Sequence, residues 1–412
     1  MDKLRRGLKI VLVVAWLAAG LAFVWRVFIP SAQTITFGFI GYYTSSWLLV
    51  HGRWAPQAYD DDYYRAQVLA LSGGEVGDVL GFNSPAMALI FLPLVWLSPQ
   101  QARWAWTAAN VVLLVLAGWL THQALARNQT MSAWLWLGLS ALALVYAPLI
   151  ENFRFGQAYG LLLCLYALGL WGLLVEKNAF AGLGLGLATL LKLSGAPVWL
   201  MLAVRRWARW PWALYGMAAG LVLVSIPLVS PAMYLAFFRR FQAGEGYDRY
   251  LTLTVFQTTS SFFAHFLRFD PDLNPRPLAN FPQLATGLTW AVTLASLAFT
   301  LWRSRAADLA LAFATATILS VVLFPMAEQY HYTLLLLPLA VLAVNLAATG
   351  ASWRWVMGWA AAAALLSVPL PYRADALSTG WLSLLAYPRL YGGWLLWGLL
   401  MARMKPTAPQ GS

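Results

Sequence analysis

The sequence predicts an all-α membrane protein that crosses the bilayer many times. Hydrophobic residues make up 61% of the 412 residues and charged residues only 10%, whereas a soluble domain carries about 25% charged residues. Several apolar stretches reach the roughly 20 residues that a helix needs to cross a bilayer. The 23 tryptophans fit the aromatic belts of membrane interfaces. We therefore interpret the net charge of +12 as the Lys/Arg excess of cytoplasmic loops and not as a nucleic-acid surface.

The apolar runs predict about twelve spans. The first run follows the basic segment MDKLRRGLK and is too long for a cleaved signal peptide, so we expect it to be retained with the N-terminus in the cytoplasm. A single transmembrane domain over 1–405 and a disordered tail over 406–412 are expected. The predicted spans are 10–30, 104–122, 131–150, 158–175, 179–192, 195–205, 212–230, 283–302, 308–325, 331–347, 353–370 and 386–402.

The segment 85–99 decides which loops face outwards. It is apolar but short and contains three prolines, so we interpret it as a re-entrant or interfacial hairpin on the outer face, buried in protein. Both termini are then cytoplasmic, 12 of the 15 acidic residues lie outside, and two long outer loops cover about 31–103 and 231–282. If 85–99 crossed the membrane instead, Glu151 and Lys192 would lie inside.

The first outer loop contains a candidate general base. In AYDDDYYRAQ (58–67), Asp60, Asp61 and Asp62 are adjacent and lie beside tyrosines. Repulsion between neighbouring carboxylates raises one pKa, which suits a base, and Tyr59 is a candidate for stacking on a sugar. The simpler interpretation is a solvated acidic turn that starts a helix. Asn83, in GFNSPAMALIFLPLVWLSP (81–99), is a further binding candidate, with a structural elbow as the alternative.

Phosphate ligands are expected around Lys192, which ends the glycine-rich helix of AGLGLGLATLLKLSGAP. An ionisable residue at membrane depth is a functional candidate by default. The segment ENFRFGQAYG (151–160) adds Glu151, Arg154 and Gln157, and an arginine suits phosphate recognition. The alternative for both cations is that their side chains simply extend to the headgroups.

A histidine in AEQYHYTLLLLP (327–338) is a candidate acid or base. Glu328 and His331 are three residues apart, which places them on one helical face, and histidine titrates near neutral pH. An interfacial, hydrogen-bonded histidine is the alternative. We find no zinc-ligand spacing, P-loop or dinucleotide motif, and the single Cys164 supplies no metal site. No metal and no cofactor are therefore expected.

Five segments in order resemble glycosyltransferase family 87, the polyprenol-phosphate-mannose-dependent mannosyltransferases of GT-C fold. The resemblance implies that Lys192, Gln157 and His331 bind the donor phosphate or line the active site. Two features depart from the family pattern: its first-loop acid aligns with Gly38, and its Tyr-Pro-Pro is Asn83-Ser84-Pro85 here. The segments are FGFIGYYTSSWLLVHG…YD, GFNSPAMALIFLPLVWLSP, FRFGQAYGLLL, AGLGLGLATLLKLSGAPVWL and EQYHYTLLLLPL.

These observations predict a multi-pass enzyme of the cell membrane that builds an envelope glycolipid. It is expected to move a hexose, mannose by the resemblance, from a polyprenyl-phosphate donor to a lipid or glycan acceptor at the outer face. Asp60 to Asp62 are then the nearest replacement in sequence for the missing acid. Two alternatives stay open: an altered or inactive homologue that binds polyprenyl phosphate, and a transporter or flippase of lipid-linked substrates. A transporter tends to have inverted repeats and a midplane site, and neither is visible in the sequence.

Overall fold

The protein is described by a computed structural model in which the described residues form helices and connecting turns, without a β-strand. The predicted tail, 406–412, lies outside the described residues. The structure describes residues 2–126, 132–193, 195–206, 212–244 and 247–404.

The α-helices of the described residues are numbered in chain order. They are α1 (Asp2–Phe23), α2 (Ile29–Gln33), α3 (Phe39–Val50), α4 (Asp61–Leu71), α5 (Pro99–Leu125), α6 (Ala133–Val145), α7 (Ala147–Phe155), α8 (Tyr159–Leu174), α9 (Asn178–Lys192), α10 (Ala196–Arg206), α11 (Trp212–Val229), α12 (Pro231–Ala243), α13 (Tyr247–Tyr250), α14 (Thr259–Leu267), α15 (Pro282–Ser304), α16 (Leu309–Val322), α17 (Leu336–Ala348), α18 (Trp353–Ser367) and α19 (Pro388–Arg403).

Short helices of other types connect these elements. The five-residue π-helix Val24–Phe28 joins α1 to α2 without a break in the chain direction of the first apolar run. The 3-10 helices are Pro56–Tyr59, Pro85–Leu89, Leu92–Leu94, Gln329–Leu335, Asp375–Leu377 and Trp381–Ala386.

Among the described residues, five helical segments are long and apolar enough to cross a membrane. A sixth is added if α6 and α7, which bend by 50° at Tyr146, are one broken span. An all-helical structure with this many candidate spans agrees with the predicted polytopic membrane protein. The other predicted spans coincide with shorter helices, and their crossing stays a prediction. The five segments are Lys9–Gln33, Pro99–Leu125, Trp212–Val229, Pro282–Ser304 and Gln329–Ala348.

The proline-containing segment 85–99 forms no continuous helix. It folds into two 3-10 helices that each begin at or next to a proline, because proline lacks the N–H that a longer helix needs. The Ser84 hydroxyl donates to the carbonyl of Leu190 at 2.5 Å, and the Ser46 hydroxyl donates to the carbonyl of Ala88 at 2.7 Å. These bonds fix the segment between α3 and α9.

The residues of the predicted single domain group into two compact units. The first unit comprises the described residues within 1–120, 150–193 and 212–245, and the second those within 121–149, 194–211 and 246–412. In the second unit, α16 and α17 are almost entirely buried. Helix α16 packs against α10, α17 and α19, and α18 packs against α19.

In the first unit, the glycines of α9 allow α8 and α11 to pack closely against it. A methyl group at Gly184 would lie 2.5 Å from the carbonyl oxygen of Leu165 on α8, and one at Gly182 would overlap the carbonyl of Leu214 on α11. Small residues permit this approach of backbones in membrane proteins. Because α9 is held on two sides, the position of Lys192 at its last residue is fixed by packing.

Replacing Gly182 with alanine is expected to destabilise the first unit by about 1–3 kcal/mol, the usual cost of overfilling a packed interior. Gly220→Ala on α11 is the matched control, because no atom lies within 4 Å of the added methyl group. Thermal unfolding in detergent, followed by circular dichroism, compares the two. An unchanged unfolding temperature for Gly182→Ala would contradict the close packing described for α9.

Candidate active site

Lys192 is held in a defined place by three residues of the first unit. Its Nζ donates to Asn83 Oδ1 at 2.6 Å and lies 5.2 Å from the ring centre of Tyr42 and 5.7 Å from that of Tyr159. A cation over aromatic faces gains electrostatic stabilisation, more so where water is partly excluded. The next residue, Leu193, adopts a left-handed conformation with φ of 41° and ends α9. The ammonium therefore faces other site residues instead of extending past them to the headgroups.

Asn83 is itself oriented by two hydrogen bonds. Its Nδ2 donates to the carbonyl of Leu80 at 2.9 Å, and its own carbonyl accepts from the Tyr59 hydroxyl at 2.9 Å. Tyr59 is buried, and burial raises the pKa of its hydroxyl well above the ordinary value, so the group stays a donor. The tyrosine that the sequence suggested for sugar stacking thus supports the partner of Lys192.

Gln157 joins the same group of residues. Its Oε1 accepts from the Tyr42 hydroxyl at 2.5 Å, so Tyr42 contacts both Gln157 and the Lys192 ammonium. Gln157 is buried in the turn between α7 and α8, where Gly156 has a φ of +63°. The structure thus brings together Lys192, Gln157, Asn83 and, through Asn83, Tyr59 from the predicted site residues.

A buried arginine, Arg103, binds the backbone that leads into the Gln157 turn. The sequence did not single it out. Arg103 has no exposed surface, and its Nη2 donates to the carbonyls of Phe153 and Arg154, both at 2.8 Å. A cation at the C-terminal end of a helix, here α7, is stabilised by the helix dipole. In the sequence, Arg103 directly precedes a predicted span and looks like any interfacial arginine.

A carboxylate that connects to this group through Gly38 is Asp78, which carries no motif in the sequence. Its Oδ2 accepts from the Gly38 N–H at 2.6 Å and its Oδ1 from the Val79 N–H at 2.8 Å. Burial raises the pKa of Asp78, while the two amides and the Lys192 ammonium lower it in part. Asp78 is therefore within electrostatic reach of Lys192. It lies 40 residues after Gly38, so only the fold reveals the contact.

Gly38, where the family pattern places an acid, has no room for a side chain. Its φ of +79° and ψ of −66° lie outside the regions that other residues favour. A Cβ here would lie 2.5 Å from Gln157 Nε2 and 3.0 Å from the Phe155 carbonyl oxygen. The backbone conformation and the neighbours of position 38 therefore do not accommodate the acid of the family pattern.

Asp60, Asp61 and Asp62 each have a partner, two of them within α4 and one on α12. Asp60 is the N-cap of α4 and accepts from the Tyr63 N–H at 2.8 Å, as expected for an acid at a helix start. Asp61 accepts two hydrogen bonds from Arg240, at 2.8 and 2.9 Å, and Asp62 pairs with Arg65 at 3.1 Å. This geometry agrees with the simpler interpretation of the acidic turn. A catalytic role for these three stays a prediction.

Glu151 and Arg154 lie on α7, just before the Gln157 turn. Glu151 is half-buried and Arg154 is exposed. The backbone carbonyl of Arg154 accepts from Arg103, which ties this end of α7 to α5. The predicted phosphate role of the Arg154 side chain stays a prediction.

Glu328 and His331 lie in the second unit, at the start of a 3-10 helix. The Glu328 N–H donates to His331 Nδ1 at 3.1 Å, and the Tyr330 hydroxyl donates to Glu328 Oε1 at 2.9 Å. The imidazole is buried and stacks on the Tyr330 ring at 4.7 Å. Since Nδ1 accepts, a neutral His331 carries its hydrogen on Nε2. The two residues are thus neighbours, joined through the backbone of Glu328.

Within the described part of the chain, no three His, Cys, Asp or Glu side chains are grouped so that they could hold a metal ion. The lone Cys164 is buried in α8. The chemistry of the site in the first unit is therefore that of one ammonium, amides, tyrosine hydroxyls and one carboxylate.

Similarity to known proteins gives the family. The family described as glycosyltransferase family 87 matches residues 82–325, more than half of the chain. The alpha-(1->3)-arabinofuranosyltransferase of Corynebacterium glutamicum is 30% identical over 127 residues, which are 30% of this chain and 30% of that protein. The chain thus matches less than a third of the length of this relative. No solved structure matches the chain. Asn83, Gln157 and Lys192 lie inside the family match, and the chain belongs to glycosyltransferase family 87.

Proposed function

We propose that this membrane glycosyltransferase moves a hexose, mannose in the first instance, from a polyprenyl-phosphate sugar to a lipid or glycan acceptor. The observation that carries the proposal is the position of Lys192. A half-buried ammonium at the end of an apolar helix, surrounded by Asn83, Tyr42 and Tyr159, suits a phosphate at headgroup level whose chain lies in lipid. The donor needs no cofactor and no metal.

The proposed reaction is a single displacement. The acceptor hydroxyl oxygen attacks the anomeric carbon, the bond from that carbon to the phosphate oxygen breaks, and polyprenyl phosphate leaves with the electron pair. Lys192 stabilises the charge that develops on the leaving phosphate, the large electrostatic contribution of such sites. A carboxylate takes the proton of the acceptor hydroxyl. The resemblance to the family suggests inversion at the anomeric carbon.

We further propose a GT-C fold of about twelve spans in the cell membrane, with both termini in the cytoplasm and the site at the outer face. The support is the distribution of charge along the chain. With this orientation 12 of the 15 acidic residues lie outside and the clusters of Lys and Arg lie inside, as the positive-inside rule requires. The first loop, which supplies Asn83 to Lys192, is then an outer loop.

The test uses the purified full-length protein in liposomes with radiolabelled polyprenyl-phosphate mannose. A polyprenyl-phosphate pentose is assayed in parallel, since the similar Corynebacterium glutamicum protein is by its name an arabinofuranosyltransferase. Lipid and glycan acceptors are supplied as a panel. The expected result is a labelled acceptor with an equal amount of released polyprenyl phosphate. Donor that is bound but never cleaved would indicate an inactive homologue, and intact donor moved between leaflets would indicate a flippase. Either outcome overturns the proposal.

A further inference from the structure

We propose that Asp78 is the general base of this enzyme, in the place of the acid that the family pattern puts at Gly38. This inference rests on the proposed function. It concerns a residue that precedes the family match at 82–325, so neither the family match nor any motif in the sequence points to it.

The first argument is position. The Asp78 carboxylate is bound to the backbone N–H of Gly38 itself, at 2.6 Å. A residue from further along the first loop therefore brings a carboxyl group to the same point of the backbone from which an acid at position 38 would start. Asp78 thus supplies a carboxyl group next to Gly38, although the two residues are 40 positions apart in the sequence.

The second argument is that the surrounding backbone makes room for this carboxylate. Gly41, in the first turn of α3, faces Asp78, and a methyl group there would lie 2.5 Å from Oδ2. The Gly38 and Val79 amides hold one oxygen each. An ionised carboxylate has about four lone-pair sites, so positions remain for an acceptor hydroxyl. The group is oriented and still able to accept a proton.

The third argument is the link to the donor site. Gly38, whose N–H binds Asp78, packs against Gln157, and Gln157 accepts from the Tyr42 hydroxyl, whose ring lies 5.2 Å from the Lys192 ammonium. Lys192 is the proposed ligand of the donor phosphate, and its charge partly lowers the pKa of Asp78. A base and a phosphate ligand must lie on either side of the anomeric carbon in a displacement reaction. By contrast, Asp61 is neutralised by Arg240 and Asp62 by Arg65, and Asp60 caps α4.

In the proposed step, the hydrogen of the acceptor hydroxyl moves to a carboxylate oxygen of Asp78 while the hydroxyl oxygen forms its bond to the anomeric carbon. The bond between that carbon and the phosphate oxygen breaks, and the electron pair leaves with polyprenyl phosphate. Asp78 ends protonated and releases its proton to water. No oxidant, reductant or further reactant is needed.

The pH dependence of transfer provides one readout. The titratable groups that influence the pKa of Asp78 or are influenced by it are the Lys192 ammonium on α9 and the buried Tyr64 hydroxyl on α4, while the stem of Arg65 lies beside the adjacent Gly77. Burial is the largest effect and raises the pKa of Asp78 above the ordinary 3.8. A base must be ionised, so the rate of transfer is expected to fall as the pH drops through this raised pKa. The fall is expected at a higher pH than for an ordinary aspartate.

The decisive variant is Asp78→Asn, which keeps an oxygen for the Gly38 amide but cannot take a proton. Transfer is expected to drop by about 10²–10⁴-fold, the usual contribution of a general base, and its acid limb is expected to disappear. Binding of radiolabelled polyprenyl-phosphate mannose in liposomes is expected to stay. Glu75→Gln, an exposed acid three residues earlier in the same loop, is the matched control and is expected to transfer at the wild-type rate.

Stability separates a catalytic role from a structural one. A carboxyl group whose pKa is raised in the folded state contributes stability at low pH and loses it as the pH rises through that pKa. Asp78→Asn is therefore expected to unfold at the same temperature as the wild type or higher at neutral pH. If Asp78→Asn unfolds at a lower temperature than the wild type, its loss of transfer is assigned to misfolding. Asp78 then has a structural role only, and the proposed base is overturned.

A second variant tests whether the Asp78 carboxylate must keep its position, without changing its charge. Gly41→Ala places a methyl group against Asp78 Oδ2 and is expected to displace the carboxylate and reduce transfer by roughly 10²-fold. Gly220→Ala, with free space around the methyl group, is the control.

Full transfer by Asp78→Asn in an otherwise active preparation overturns the role of Asp78 as the base and leaves the proposed function intact. A wild-type protein that neither binds nor cleaves the donor overturns both.

Discussion

Replacing Lys192 with alanine is expected to lower the rate of sugar transfer by about 10²–10³-fold, the loss seen when one charge-stabilising donor is removed from an active site. The leaving phosphate gains negative charge as its bond to the sugar breaks, and Lys192 is the ammonium of this group of residues. The Asn83 amide and the rings of Tyr42 and Tyr159 hold Nζ in one place. The stabilisation therefore needs little rearrangement during the reaction.

The matched control for this experiment is Lys177→Ala. Lys177 lies at the other end of the same helix, is exposed, and has its ammonium 5.5 Å from the ring centre of Trp171. Release of polyprenyl phosphate from radiolabelled donor is measured for both variants in liposomes of one composition. We expect Lys177→Ala to transfer within twofold of the wild type, a change of roughly 0.4 kcal/mol in the barrier. Equal rates for Lys192→Ala and the wild type would remove the phosphate role.

Replacing Arg389 with methionine is expected to reduce the free energy of unfolding by at least about 3 kcal/mol, since each hydrogen bond to a charged group is worth about 1.5–3 kcal/mol. Arg389 has no exposed surface. Its guanidinium donates to the carbonyls of Leu365 and Val368, both at 2.6 Å, and to Gln329 Oε1 at 3.0 Å. Methionine fills similar space but removes the donor from all three acceptors, of which Gln329 is buried.

The control for Arg389 is Arg354→Met on α18, which removes an exposed arginine whose guanidinium lies 6.0 Å from the ring centre of Trp353. It is expected to change stability by less than about 0.5 kcal/mol, as is usual for surface positions. Denaturant unfolding in detergent, followed by tryptophan fluorescence, compares both variants with the wild type. If the two variants unfold alike, the carbonyls at the end of α18 do not depend on Arg389.

In the first loop, Asp78 and Gly38 connect the proposed function with a cost in stability. An ionised, half-buried carboxylate costs stability, which is why burial raises its pKa. The backbone at Gly38 adopts a conformation that favours glycine. The proposed role of Asp78 as a base gives a reason for keeping this carboxylate at a cost in stability.

The all-helical class followed from the sequence by itself, and so did three of the candidates that the structure groups together, whose roles stay predictions. Long apolar runs with few charges determined an all-helical membrane protein, because only a helix satisfies every backbone polar group within one segment in lipid. The isolated Lys192 stood out because an ionisable side chain at the end of an apolar helix is costly unless it has a use. Gln157 and Asn83 were found through short motifs that the family match covers.

Other parts of the site were decided only by tertiary structure. The acidic turn at Asp60 to Asp62 attracted attention through its composition, but a local pattern does not reveal that Arg240, far along the chain, neutralises Asp61. Asp78 had no pattern at all, and a turn of the backbone brings it to the amide of Gly38. Burial and charge pairing depend on residues that are distant in sequence. The sequence therefore determined that the helices lie in lipid and that Lys192 is a candidate site residue. Only the fold places the Asp78 carboxylate at the Gly38 amide.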